Sequence, residues 1–452
     1  MSKVIKIKRG LDIRLKGSAE KVFRATHLPD RFAVKPPDFK GITPKVLVKP
    51  GQEVKAGEPI LLDKVHPGII WVSPVAGIVD SVNRGERRKL LDVVIQRTGS
   101  DDFVSFETGD VATMDEARVR ELIMLSGLWP AIVERPYGVL ANPTVTPRDI
   151  FISGFDTAPL APDIDFLLQG QKKGFMTGVE ALKKLTSGRV YISLPEGYDD
   201  EGLLQGVSGV EYTYFRGPHP AGLVGVQIHH LAPINKGEVV WTISPQHVAR
   251  IGNTLLQGRA DTRWVVALTG AGLKETGYYQ TIMGANIDGL VENNRADQEI
   301  ENRVISGNVL SGTKINPENF IGYFDSHLSV IPEGNQYELF GWALPGYKKF
   351  TNSRAFLSAL NQNREWNLDT NLKGGQRAFV VSGQYEKVLP MDILPVYLLK
   401  AILAEDFDRM EQLGIYEVIE EDLALCEFVC TSKTDVQEIL RRGLDLVRKE
   451  LS

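Results

Sequence analysis

Chemistry in this chain would have to come from a few places, and the first is a loop rich in histidine. Arg216-Gly217-Pro218-His219-Pro220-Ala221-Gly222-Leu223 is followed by His229-His230, so three of the seven histidines fall within twelve residues. Imidazoles so placed suggest a metal site, but no carboxylate or cysteine accompanies them, and two prolines pin His219. A rigid loop shaping a binding surface is the better expectation. Cys426 and Cys430 are the only thiols and stand one helical turn apart. Zinc takes four ligands and a four-iron cluster four thiolates, whereas the nearest histidine in sequence is His327. The two cysteines therefore read as small buried hydrophobes. Gly270 and Gly272 follow an apolar run, as in a dinucleotide fingerprint. However, Glu275 occupies the third glycine position and would oppose a pyrophosphate, so a plain glycine turn is expected. No nucleophile, base and orienter set emerges.

The elements that must position these residues divide the 452-residue chain into several domains. After an N-terminal segment over 1–35, residues 36–100 alternate short β-branched runs with Pro-Gly and Ala-Gly turns. The spacing of Val48, Gly51, Val54 and Gly57, followed by Ser73-Pro74 and Gly77, resembles the barrel-sandwich hybrid of lipoyl and biotinyl carriers. Such carriers bear a lysine on an exposed hairpin, and Asp63-Lys64 is the nearest match. The ten-residue gap to Pro74 argues for a plain surface lysine.

Residues 101–266 read as a Rossmann-like α/β domain. Strands are expected at Ile150–Ser153, Val190–Leu194, Tyr212–Phe215, Val239–Ile243 and Trp264–Leu268. Helices are expected over Asp163–Thr186, capped by Gly188, and over Gln246–Leu256. Short strands without long helices mark a small β-grasp-like domain of the SLBB type over 267–335. The remainder, 336–452, becomes helical past Leu389, with Val436, Leu440, Leu444, Val447 and Leu451 on one stripe.

Bulk properties exclude several roles. A net charge of −5 without a basic tract lacks the footprint of a nucleic-acid binder and offers no attraction to anionic lipid. The longest apolar run, Leu122–Val133, is broken by Gly127 and Pro130 and is far short of a membrane span. No secretory signal opens the chain, and two cysteines suit a reducing compartment.

Several longer motifs carry a family resemblance. Ser126-Gly127-Leu128-Trp129 with Arg135-Pro136, Gly217–Leu223, Phe340-Gly341-Trp342, Pro390-Met391-Asp392-Ile393-Leu394-Pro395 and Glu421-Asp422-Leu423-Ala424-Leu425-Cys426 through Cys430 resemble the NqrA family of the Na+-translocating NADH:quinone oxidoreductase. The resemblance implies a subunit peripheral to the bacterial inner membrane, on its cytoplasmic side. Its partners would be the integral subunits of a pump that oxidises NADH, reduces ubiquinone and exports Na+. Flavins and iron–sulfur centres would sit on other subunits, and this chain would hold none. The architecture is similar to the corresponding peripheral subunit of the Rnf electron-transport complex and to the flavin-bearing subunit of respiratory complex I. Where those relatives wrap a glycine-rich loop around flavin phosphate, this chain has Trp129 and Pro130, which add bulk and remove an amide. A quinone site needs an apolar slot and one or two polar groups. Gly217, Pro218, His219, Pro220, Gly222, His229 and Trp129 are the candidates for a quinone- or partner-facing site. A freestanding flavin-dependent NADH:acceptor enzyme and a carrier using Lys64 are the rival readings.

Overall fold

A computed structural model describes residues 4–316, 318–335, 338–341, 343–361 and 363–451; Trp342 of the Phe-Gly-Trp motif lies outside them. Residues 31–97 form the barrel as two small antiparallel sheets. One orders Arg31–Val34, Leu90–Arg97, Gly77–Arg84 and Glu53–Val54; the other orders Pro44–Val46, Pro59–Asp63 and Ile70–Val72. Inward residues such as Phe32, Ile60, Trp71, Val79 and Ile95 are buried, as alternation in a two-sheet sandwich requires.

The α/β domain is built on a seven-stranded sheet. Its order is Val4–Lys6, Glu211–Arg216, Val190–Pro195, Ile150–Ser153, Val240–Thr242, Val133–Arg135 and Val139–Leu140. The first five are parallel, Val133–Arg135 runs antiparallel to Val240–Thr242, and Val139–Leu140 runs antiparallel to Val133–Arg135 in turn. Val4–Lys6, placed by sequence in a separate N-terminal segment, thus forms the edge of this sheet. The pairing Val4 to Tyr214 could not be read from a three-residue run.

Two expectations need correction. The helix foreseen over Asp163–Thr186 is broken into Ile164–Leu167 and Lys172–Lys183. Asp163 caps the first piece, and Gly170 adopts a left-handed φ of 77° between them. The second piece ends at Lys183, so Gly188 is not its cap. Trp264–Leu268 lies within the strand Arg263–Thr269, which belongs not to the α/β sheet but to the small β domain. There it pairs with Gly277–Ile282 and His327–Pro332 in the order Gly277–Ile282, Arg263–Thr269, His327–Pro332, Asn302–Ser306, Thr313–Ile315. A buried strand reads the same in either sheet, so hydrophobicity alone could not assign it.

The expected helix at Gln246–Leu256 runs from Pro245 to Gln257, capped by the Ser244 side chain and ended by Gly258 at φ 68°. It crosses the helix Lys172–Lys183 at backbone contact. A Cβ on Gly252 would fall 1.8 Å from the Gly174 carbonyl oxygen, so the crossing exists only because both positions lack side chains. The C-terminal region carries the helices Pro395–Leu403, Phe407–Gln412, Ala424–Val429 and Val436–Leu451. Its core is separate from the main one and joins Ile7, Ile13, Phe215 and Val226 to Val396, Leu398, Leu440 and Leu444. Among the described residues no helix is long and apolar enough to cross a membrane.

Candidate functional site

The strand Glu211–Arg216 delivers the histidine loop, and the helix Val224–Leu231 leaves it. His219 is 2% exposed. Its backbone N–H donates to Asp12 Oδ1 at 2.8 Å, and its carbonyl accepts from Leu11 N–H at 2.8 Å. Thr157 Oγ1 accepts from Gly222 N–H at 2.9 Å, so its own proton is free to donate to His219 Nδ1 at 3.1 Å. That pattern suits a neutral imidazole, and burial drives its pKa down to about 4. Gly217 and Gly222 allow the turn: added Cβ atoms would meet the Ile7 carbonyl at 2.3 Å and the Thr157 amide at 2.6 Å. Pro218 faces Gly10 across the same crossing, and Pro220 is buried.

His229 lies a turn and a half further on. Its Nδ1 meets Glu417 Oε2 at 2.6 Å, and its Nε2 accepts from Asp392 N–H at 3.1 Å. Both ring nitrogens are thus engaged by the C-terminal region, one of them by its Pro390–Pro395 motif.

Trp129 is elsewhere. Val240 and Trp241 are successive residues of one strand, so their side chains leave opposite faces of the sheet. Val240 packs with Ile228 of the helix that carries His229, whereas Trp241 packs edge-to-face on Trp129 at 5.4 Å. Trp129 is fully buried and its indole N–H donates to the Ala141 carbonyl at 2.8 Å. The candidates therefore split into two groups with the sheet between them. Neither group lines the open cleft of about 530 Å3 beside Gly17, Gly270 and Lys274. Nor does either line the cavity of about 40 Å3 beside Lys35, Asp38, Trp71, Arg250 and Tyr323. In that cavity burial raises the Asp38 carboxyl to about 6. No helix follows Gly270–Gly272; the chain turns directly into the strand Gly277–Ile282.

A feature missed in the sequence ties these motifs together. Arg135, 1% exposed, places Nη1 2.6 Å from Asp422 Oδ2 and Nη2 2.9 Å from Glu421 Oε1. Burial opposes its charge, but the two carboxylates outweigh that and hold its pKa above the ordinary value. Asp422 also accepts the Ile419 N–H at 2.8 Å and abuts Gly225 at the start of the His229 helix. The partners are 286 and 287 residues apart, so no local signal announced them. The only hint was an arginine before Pro136 and a run of acids at 420–422.

The cysteines are 1% and 3% exposed. Burial pushes the Cys426 thiol well up. Burial also acts on Cys430, but the Tyr385 hydroxyl, donating at 3.0 Å, and the Thr434 N–H at 3.4 Å outweigh it and lower its pKa. Among the described residues no cluster of three or more His, Cys, Asp or Glu could hold a metal ion. Lys64 sits in the turn after Asp63, whose carboxylate is occupied by the Thr43 and His66 amides.

Three family models match stretches of the chain: the NqrA N-terminal barrel-sandwich hybrid domain over residues 5–98, the NqrA second alpha/beta domain over 114–260, and the NQRA C-terminal domain over 265–316. The NqrA protein of the Na(+)-translocating NADH-quinone reductase of Serratia proteamaculans is 38% identical over 99% of this chain and 100% of its own length. The chain belongs to the NqrA family. The NqrA protein of Rhodopirellula baltica is likewise 38% identical, over 99% of this chain and 98% of its own. A looser likeness, at 12% identity and a TM-score of 0.39, is to an NAD+-reducing nickel–iron hydrogenase; it covers 76% of this chain and 62% of that one. Within the family's second domain fall Trp129, Arg135 and the whole histidine loop. The carboxylates that meet Arg135 lie beyond residue 316, where the three matched stretches end.

Proposed function

We propose that this chain is a peripheral, cofactor-free subunit of a Na+-translocating NADH-quinone reductase, seated on integral partner subunits at the cytoplasmic side of a bacterial inner membrane. Full-length similarity to the NqrA relatives carries this reading. In the assembled pump, electrons pass from NADH to ubiquinone on redox groups of the other subunits, and this chain contributes shape and contact.

The interior supports the cofactor-free part. A flavin phosphate is cradled by bare backbone amides. In the stretch where the resemblance would put such a cradle, Trp129–Ala131 is a buried 3-10 turn whose indole fills the space under the sheet. Cys426 and Cys430 are two ligands where a cluster needs four, and Tyr385 already occupies one of them. If ubiquinone touches this chain, His219 and His229 are poorly suited to meet its carbonyls, because protein groups already engage the ring nitrogens described above. The test is an absorption spectrum, a metal analysis and an intact mass of the gently purified chain. A colourless protein of unmodified mass, with Lys64 bare, is expected. Stoichiometric flavin or iron, or a lipoyl or biotinyl adduct on Lys64, would contradict the reading.

A further inference from the structure

Among the described residues, 24 large apolar side chains stand exposed, and twelve of them fall between Leu339 and Leu403. The densest group is the irregular stretch 338–366. There Leu339 is 85% exposed, Leu360 88%, Tyr347 65%, Leu344 51% and Leu357 46%. This is not a fraying tail. Leu357 N–H donates to the Pro345 carbonyl, Ser358 Oγ to Lys349 O at 2.5 Å, and Arg364 Nη1 to Tyr347 O at 2.9 Å, so distant parts of the stretch are knotted together. Trp366 anchors the knot: it is 4% exposed, its N–H donates to Arg14 O at 2.7 Å, and its ring packs on Phe350. An ordered segment that holds leucines in water is exposing them for a contact.

Charge indicates what the contact is with. Residues 338–366 carry Lys348, Lys349, Arg354 and Arg364 against Glu338 and Glu365, in a chain whose net charge is −5. Lys348 and Arg354 are exposed among the leucines. An apolar surface with a basic excess suits an occupant that is apolar and acidic. A bilayer fits less well: exposed Asn352, Asn361 and Asn363 interleave with the leucines, and irregular backbone entering hydrocarbon would leave polar groups unsatisfied.

We propose that the described residues of 338–366 form the seat for an apolar, acidic segment of a partner subunit. The proposal rests on the subunit reading above and names the surface that reading requires. The experiment expresses the full complex with the chain affinity-tagged and measures integral subunits recovered per chain from detergent-solubilised membranes. Wild type is compared with Leu344→Ser/Leu360→Ser, with Lys348→Glu/Arg354→Glu, and with Leu125→Ser as an exposed control distant in sequence. Both double variants should lose recovery about tenfold or more at an unchanged melting temperature, with Leu125→Ser behaving as wild type. Full recovery of the double variants, or equal loss in Leu125→Ser, overturns the seat but leaves the subunit reading intact. If wild type itself recovers no integral subunit, the subunit reading fails instead. Vesicles of phosphatidylethanolamine and phosphatidylglycerol form a second arm: binding by wild type that the double variants lose would make the surface a lipid site and overturn the proposal.

Discussion

Two adjoining parts of the C-terminal region handle their chemistry in opposite ways. The helical part, from Tyr385 onward, turns its reactive groups inward: Asp422 and Glu421 grip Arg135, Glu417 grips His229, and Tyr385 donates to Cys430. The knot before it closes its own backbone contacts and turns leucines outward. Buried charge pairs and hydrogen-bonded thiols hold a shape, whereas ordered exposed leucines wait for a partner. Histidines and cysteines that could suggest chemistry in the sequence are consumed by the first task, and the surface with work left to do contains neither residue type.

The sharpest way to break this contrast is to remove Arg135. Arg135→Met leaves Asp422 buried without its counter-charge and should cost about 3–5 kcal/mol of stability. Leu360→Ser in the knot should change stability by no more than about 0.5 kcal/mol. Urea unfolding followed by tryptophan fluorescence compares the two; similar costs would erase the distinction.

Acid should weaken the buried interior of the α/β and small β domains while leaving the knot untouched. The 338–366 stretch has no histidine, while burial drives His219 and His327 each to about 4. The unfolded chain takes up those protons near pH 6.5 and the folded one does not until about pH 4. Stability is therefore fully present above about pH 6.5 and is lost as pH falls toward 4, by about 3 kcal/mol per histidine. His327, whose ring nitrogens are both buried without a hydrogen-bond partner, is the cleaner probe. His327→Asn should flatten the fall in melting temperature between pH 6.5 and 4.5, and an unchanged slope would refute the assignment.

The smallest effect concerns the thiols. Tyr385→Phe removes one hydrogen bond and should cost about 1 kcal/mol. It should also raise the Cys430 pKa, because the hydroxyl is the foremost of the hydrogen-bonding groups that outweigh burial there. Alkylation of Cys430 against pH, read by mass spectrometry, should shift to higher pH, while Cys426 stays inert.

Much of the fold is legible in the sequence because local rules write it. Turn glycines and β-branched runs mark the barrel, Ser244-Pro245 and Gly258 bracket a helix, and the stripe from Val436 to Val447 marks another. What escaped was decided by distant pairing. Arg263–Thr269 joined one sheet rather than another, Val4–Lys6 found Tyr214, and Arg135 found Asp422. The candidate site suffered most. Trp129 and His229, candidates for one site, stand on opposite faces of a sheet, because Val240 and Trp241 alternate between them.

The central claim is that partner subunits, and not lipid, hold this chain at the membrane, and fractionation of native cells tests it most directly. Membranes from cells lacking the integral subunits should release the chain into the supernatant without detergent, while membranes from intact cells retain it. Sedimentation of the chain with membranes that lack those subunits would contradict the account.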